Sequence, residues 1–187
     1  MDPHFRFRSP TWGLLSFDGM VQHVTAYLRA EPDAACRVMV GCDSQNGRDK
    51  TVFALVVVVH RVGHGAIFFY AKDIRPRVRA MQPRILTEAA LALELAAKVS
   101  AALAGLASTE NLPPIEVHAD VGPDGPTRLL VQDVVGMVRG SGFTARVKPD
   151  APAASHVADL FTKSAVASAH RKRLERREQR YGKAAAG

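Results

Sequence analysis

The sequence predicts an α/β domain: a five-stranded mixed sheet with helices packed on its faces. Three observations carry that expectation. Runs rich in β-branched and aromatic residues span Cys36 to Asp43, Thr51 to His60 and Gly65 to Ile74, separated only by the turn-like stretches SQNGRDK and RVGHG. Near Arg84 the apolar period changes from that of strands to that of a long helix. Beyond it, strand-like and helix-like segments alternate, which requires crossover connections and parallel pairing.

In chain order, residues 1 to 15 carry Pro3, Pro10 and Gly13 and read as an extended lead-in. Ser16 is placed to cap a helix with Asp18 in its first turn. Met20, Val24, Tyr27 and Leu28 recur there at helical spacing, and Pro32 helps to end it. The three strand runs follow, and their tight connections imply an antiparallel meander. Arg84 to Leu106, dense in Ala, Leu and Glu, is a long and mostly buried helix. PPIEVHAD, 113 to 120, is a strand after a Pro-Pro break. TRLLVQDVVGMVRGSG is a helix stopped by Gly140 and Gly142. FTARVKPD is a short strand. APAASHVADLFTK begins another helix, capped by Asp150 or Ser155, that leads into a basic tail. The expected organisation is an N-terminal extension (1–15), one α/β domain (16–163) and a basic tail (164–187).

Apolar residues make up 47% of the 187, enough for a real core. No run reaches the ~20 apolar residues of a membrane helix, and the N-terminus lacks the pattern of a secretory signal. Cys36 and Cys42 lie six residues apart in one strand, ~20 Å at strand rise, beyond disulfide reach. They read as free thiols, so the expected compartment is the reducing cytoplasm. Of the net charge of +7, the segment from Ala165 onward supplies seven basic residues against two acidic, or +5. Arg171, Lys172, Arg173, Arg176 and Arg177 form its densest part. Such a segment suits an anionic partner, most simply nucleic acid, although a solvated terminal helix has the same composition.

Four acids stand where acids are unusual. Asp43 ends the first strand run, Asp120 ends the IEVHA run, Glu88 opens an apolar helix, and Asp159 lies among Val157, Ala158, Leu160 and Phe161. Buried acids need a partner or a metal. In the inferred sheet the first strand lies beside the fourth, which puts Asp43 and Asp120 side by side. Crowded carboxylates raise one another's pKa unless a cation neutralises them. Hard oxygen ligands suit Mg²⁺ or Mn²⁺. Two such ions activate a water and stabilise the leaving oxygen of a phosphodiester. Each acid, taken alone, also fits a cap, a turn or an ion pair.

With GCDSQ, LTEAAL, IEVHADV and KPDAPAASHVAD in this order, the sequence resembles the ribonuclease H-like superfamily, and more narrowly the YkuK-like family of predicted bacterial nucleases. The resemblance covers roughly residues 15 to 163. It implies a sheet of order 3-2-1-4-5 and two divalent metals held by Asp43, Glu88, Asp120 and Asp159. Glu94 competes with Glu88, and Asp150 with Asp159. His156, three residues before Asp159 in a string resembling the His-x-x-Asp pair of RuvC-type resolvases, is a candidate proton shuttle or ligand. His118 and Asp120 point to one side if the strand continues. His118 then fits either the site or a supporting role. Lys148 and Lys163 flank the region and are candidates for phosphate contact. Ser44 and Gln45 either bond near the site or make the turn. The implied activity is metal-dependent hydrolysis of nucleic acid. The alternatives are a non-catalytic nucleic-acid-binding protein on the same fold, and a nucleotide-handling relative that would need phosphate loops, for which VGPDG is the one weak candidate.

Overall fold

The structure is a computed structural model and describes residues 5–106 and 112–151. In chain order its elements are β1 (Phe7–Ser9), β2 (Gly13–Leu15), α1 (Phe17–Ala30), β3 (Cys36–Asn46), β4 (Lys50–Arg61), β5 (Gly65–Pro76), α2 (Met81–Leu106), β6 (Ile115–His118), α3 (Val131–Gly140) and β7 (Thr144–Arg146). A single sheet runs in the order β2-β1-β5-β4-β3-β6-β7. The inner five strands therefore follow the expected 3-2-1-4-5 order. β3, β4 and β5 form the antiparallel meander, and β6 and β7 add parallel to β3.

Two expectations are corrected. The sheet has seven strands, not five, because the N-terminal stretch is a hairpin. In FRFRS the side chains alternate: Phe7 and Ser9 are buried while Arg6 and Arg8 are exposed. That is the period of a strand with one face on a core, and Gly13, at φ +70°, allows the return turn. The first strand run also does not stop at Asp43. Asp43 pairs with Ala54 and Asn46 with Thr51, so β3 continues to the hairpin turn and the aspartate lies within the strand.

Burial explains the sequence of β4. Thr51 to Val59 are all buried, so this strand is covered on both faces and reads as one apolar run without alternation. On one face Val38, Val40 and Cys42 of β3, Leu55 and Val57 of β4 and Val117 of β6 pack against Met20 and Val24 of α1 and Leu91, Leu95 and Val99 of α2. On the opposite face Met39, Ala54, Val56 and Val58 form a second cluster. Ser16 caps α1 through its Oγ, which accepts from the Gly19 N–H at 3.1 Å. Gly142, at φ +83°, closes α3, with the Phe143 N–H returning to the Val138 carbonyl. Among the described residues no helix is long and apolar enough to cross a membrane.

Leu95 is fully buried at the centre of the α2 contact. Truncating it, Leu95→Ala, is expected to cost about 2–5 kcal/mol. Urea unfolding should show a lower midpoint with an unchanged m-value.

Candidate active site

The site is built where β3 outruns β6. Gly41 pairs with His118, the last residue of β6, so Asp43 and Asp120 each lie two residues past the final matched pair on neighbouring strands. Alternation along β3 sends Asp43 and Ser44 to opposite faces. Ser44 faces α2, and its Oγ donates to Glu88 Oε1 at 2.5 Å. Arg84, one helical turn before Glu88, donates to the Ser44 carbonyl and hydroxyl, both at 3.0 Å, and its guanidinium lies 3.7 Å from Glu88.

Glu88 is 8% exposed. Its carboxyl is pushed up to about 7. Burial is the largest cause; the Ser44 hydrogen bond opposes it, Asp43 adds to it, Arg84 opposes it and Asp120 adds to it. The three acids from three separate elements are therefore close enough to feel one another's charge. Cys42, buried beside them, is also raised, by burial first and then by Glu88 and Asp43, so it stays a protonated thiol. Both cysteines are free.

Asp120 is held by an irregular continuation of the β6–β7 pairing. The Ala119 N–H donates to the Arg146 carbonyl and the Lys148 N–H to the Val121 carbonyl, both at 2.9 Å. This brings Lys148 Nζ to 2.7 Å from Asp120 Oδ1. Gly122 permits that approach, since a Cβ there would stand 3.0 Å from the Lys148 Cβ. A narrow cleft lined by Cys42, Glu88, Ala89, Asp120 and Val134 joins the two carboxylates.

Two other candidates are placed elsewhere. Glu94 points outward and pairs with Lys98 at 3.4 Å, each side chain 40% exposed. Asp150 is exposed in the turn after β7. His118 ends β6 and lines the same cleft as Asp120. Its Nε2 meets Glu116 Oε2 at 3.0 Å. Burial lowers the imidazole, and Glu116 only partly offsets that. Burial raises Glu116, but Arg37, His118 and Arg146 together outweigh it and hold the carboxyl below its usual range. Arg37 bonds it with both Nε and Nη2. This is a structural ion network that clamps β3 to β6. His156, Asp159, Lys163, Arg171, Lys172, Arg173, Arg176 and Arg177 lie outside the described residues.

The ribonuclease H-like family model matches residues 19–163. The chain belongs to the ribonuclease H-like family. It is also similar to a Bacillus subtilis (strain 168) protein named "Uncharacterized protein YkuK", 29% identical over 175 residues that cover 87% of this chain and all of that one. No solved structure matches the chain. Membership in the ribonuclease H-like family points to nuclease or other nucleic-acid-related function, and such folds usually bind divalent metals. The donor set fits a hard cation: three carboxylates with a nearby hydroxyl, and no thiolate or exposed imidazole among them. It is not a ready-made cage, since no group of three His, Cys, Asp or Glu side chains among the described residues is arranged around one point. Lys148 and Arg84 already supply positive charge to Asp120 and Glu88.

Sequence reasoning missed Arg84 and a basic display next to it. The segment after β5 is sewn to the β3–β4 turn. Arg77 donates its N–H to the Asp49 carbonyl and its Nη1 to the Arg48 carbonyl. The Val78 N–H donates to Thr51 Oγ1, and Asn46 Nδ2 donates to the Val78 carbonyl. Arg48, Lys50, Arg77 and Arg79 are thereby held exposed beside the Ser44–Glu88 end of the sheet, and none pairs with a carboxylate among the described residues. The signal was the alternating arginine in RPRVR, which a count of net charge hides.

Because Glu88 is raised when folded and ordinary when unfolded, the native state holds its proton more tightly. Its ionisation therefore erodes stability as pH rises from about 4.5 through 7. In metal-free buffer, Glu88→Gln is expected to gain about 2–3 kcal/mol on the wild type between pH 5 and pH 8. Paired urea titrations across that range check it, and the difference cancels the other titrating groups.

Proposed function

We propose that this chain is a divalent-metal-dependent nuclease that hydrolyses phosphodiester bonds of nucleic acid. The observation that carries the proposal is the buried Glu88 carboxyl, raised in part by Asp43 and Asp120 arriving from two other elements. An arrangement of that kind costs stability unless a cation is bound, and pKa values displaced by burial and like charge are a feature of working sites. Asp43, Glu88 and Asp120 would hold Mg²⁺ or Mn²⁺, with Asp159 completing the set by its place in the family pattern. Two bound ions would supply activation of water and stabilisation of the leaving oxygen.

The chain's own residues have distinct roles in this reading. Ser44 and Arg84 fix the rotamer of Glu88 through the 2.5 Å and 3.0 Å bonds. Lys148 is 60% exposed and neutralises Asp120, and it is free to turn toward a phosphate once that carboxylate takes another partner. Arg48, Lys50, Arg77 and Arg79 meet the phosphate backbone as it enters, and contacts of that kind position a strand without reading its sequence. His156 moves protons beside Asp159. The basic tail, Arg171 to Lys183, adds sequence-independent grip. The free thiols fit a cytoplasmic setting.

One observation favours a second reading, a nucleic-acid-binding protein without turnover. Asp120 and Glu88 each have a basic side chain at hand, so the acids are partly compensated by the protein itself.

Asp43→Asn separates the two. Changes to residues that merely support a metal's ligands already cost about 10–100-fold, so cleavage of a labelled oligonucleotide in Mn²⁺ is expected to fall by at least about 10²-fold, with circular dichroism unchanged. Cleavage that survives the substitution overturns the site. Salt-sensitive binding by the wild type, with no turnover in any divalent metal, selects the second reading.

A further inference from the structure

The two strands beyond the five-stranded core carry a basic pocket that the proposed catalytic chemistry does not use. β1 joins the sheet by pairing Arg8 with Tyr70 of β5. Paired residues share a face, so Arg8 stands in a row with Tyr70, Val56 and Gly41, on the face of the sheet that also presents Asp43. The next row runs Lys72, Ala54, Asp43. Two strand spacings, about 10 Å, thus separate the backbones of Lys72 and Asp43 on that face. Phe5, Arg6, Arg8, Leu14, Tyr70 and Lys72 line an open pocket of about 560 Å³ at this edge.

The pocket collects three basic side chains, Arg6, Arg8 and Lys72. Arg6 and Arg8 are exposed, and none of Arg6, Arg8 and Lys72 pairs with a carboxylate among the described residues. Burial first, and then the Arg8 charge, hold the Lys72 ammonium below the usual lysine range. Lys72 lies over the Tyr70 ring at 5.9 Å from its centroid. Like charges gathered beside an aromatic ring are elements of a single-strand binding groove: cations follow the backbone and a ring stacks with a base.

We propose that this β1–β5 edge is a second contact site for single-stranded nucleic acid, with Arg6, Arg8 and Lys72 on phosphates and Tyr70 against a base. The inference rests on the nucleic-acid reading above and deepens it. The hairpin thereby serves binding, because it extends the sheet on the side away from β6 and β7.

The test uses the full chain and a fluorescein-labelled single-stranded 12-mer in EDTA, followed by anisotropy from 50 to 300 mM salt. Each phosphate contact contributes ~0.7 to the slope of log K against log salt for single strands. The R6Q/R8Q/K72Q variant is expected to lose about 2 of that slope and to bind at least about tenfold more weakly at 0.1 M salt. R6K/R8K, which keeps the charge, should retain the slope, and thermal unfolding of both variants checks the fold. An unchanged affinity and slope in the folded charge-removal variant overturns the proposal, as does a wild type that binds only duplex. Cleavage in Mn²⁺ is read separately. A wild type that fails to cleave but binds through this edge refutes the nuclease and leaves the edge standing. Cleavage lost in Asp43→Asn, together with charge-independent binding, does the reverse.

Discussion

The central strand β3 must satisfy two neighbours running in opposite senses, and the site is a consequence of how that is done. Its antiparallel register with β4 continues from Cys36 to Asn46, while its parallel register with β6 ends at Gly41. From Cys42 onward one edge of β3 is therefore released from the sheet ladder on the β6 side. Backbone polar groups there need other partners, and Arg84 reaches in from α2 to one of them, the Ser44 carbonyl. The same gap admits the carboxyl of Glu88 from one side and the chain carrying Asp120 from the other. Had β6 extended two residues further, Asp120 would have been fixed in a ladder position with its direction set by strand parity.

That geometry explains why the electrostatics are lopsided. Glu88 sits on the α2 side against Ser44, whereas Asp43 is on the opposite face with Gly41 and Met39, yet the two still interact, because only the thickness of one strand separates them. A carboxyl with one hydrogen-bonding hydroxyl and a guanidinium at 3.7 Å is not fully compensated for its burial. Glu116 is the contrast on the same sheet. It is as buried as Glu88, but Arg37, His118 and Arg146 surround it, and it stays ionised below its usual range. Two buried glutamates thus carry opposite shifts. At Glu88 burial is the largest cause and its partners do not offset it, whereas at Glu116 three basic or hydrogen-bonding partners outweigh it.

Much of this was legible from residue patterns. The runs around Val40, Val57 and Phe69 mark the meander, the shift of period at Arg84 marks α2, and Glu88 and Asp120, two of the oddly placed acids, line one cleft. What escaped has physical reasons. The hairpin at Phe7 was hidden because three-residue strands carry too few alternations to stand out beside Pro3, Pro10 and Gly13. The extension of β3 past Asp43 depended on register with β4, which no local propensity encodes. The partners Arg37 for Glu116 and Lys148 for Asp120 are tertiary pairings across 79 and 28 positions of sequence, and spacing alone does not foretell them.

Net charge misleads for the same reason. Subtracting the +5 of the segment beyond Ala165 from the total of +7 leaves the body at +2, which reads as nearly neutral. In three dimensions the body is not neutral anywhere that matters. Two of its acids, Glu88 and Glu116, are buried, and Asp120 is half-exposed beside Lys148. Cations with no carboxylate partner among the described residues are exposed, Arg48, Lys50, Arg77 and Arg79 at one end of the sheet and Arg6 and Arg8 at its edge. For the phosphate backbone that the nuclease reading requires, these exposed cations would act across about a Debye length, ~8–10 Å at ordinary ionic strength, whereas the buried Glu88 carboxyl would act only within its cleft.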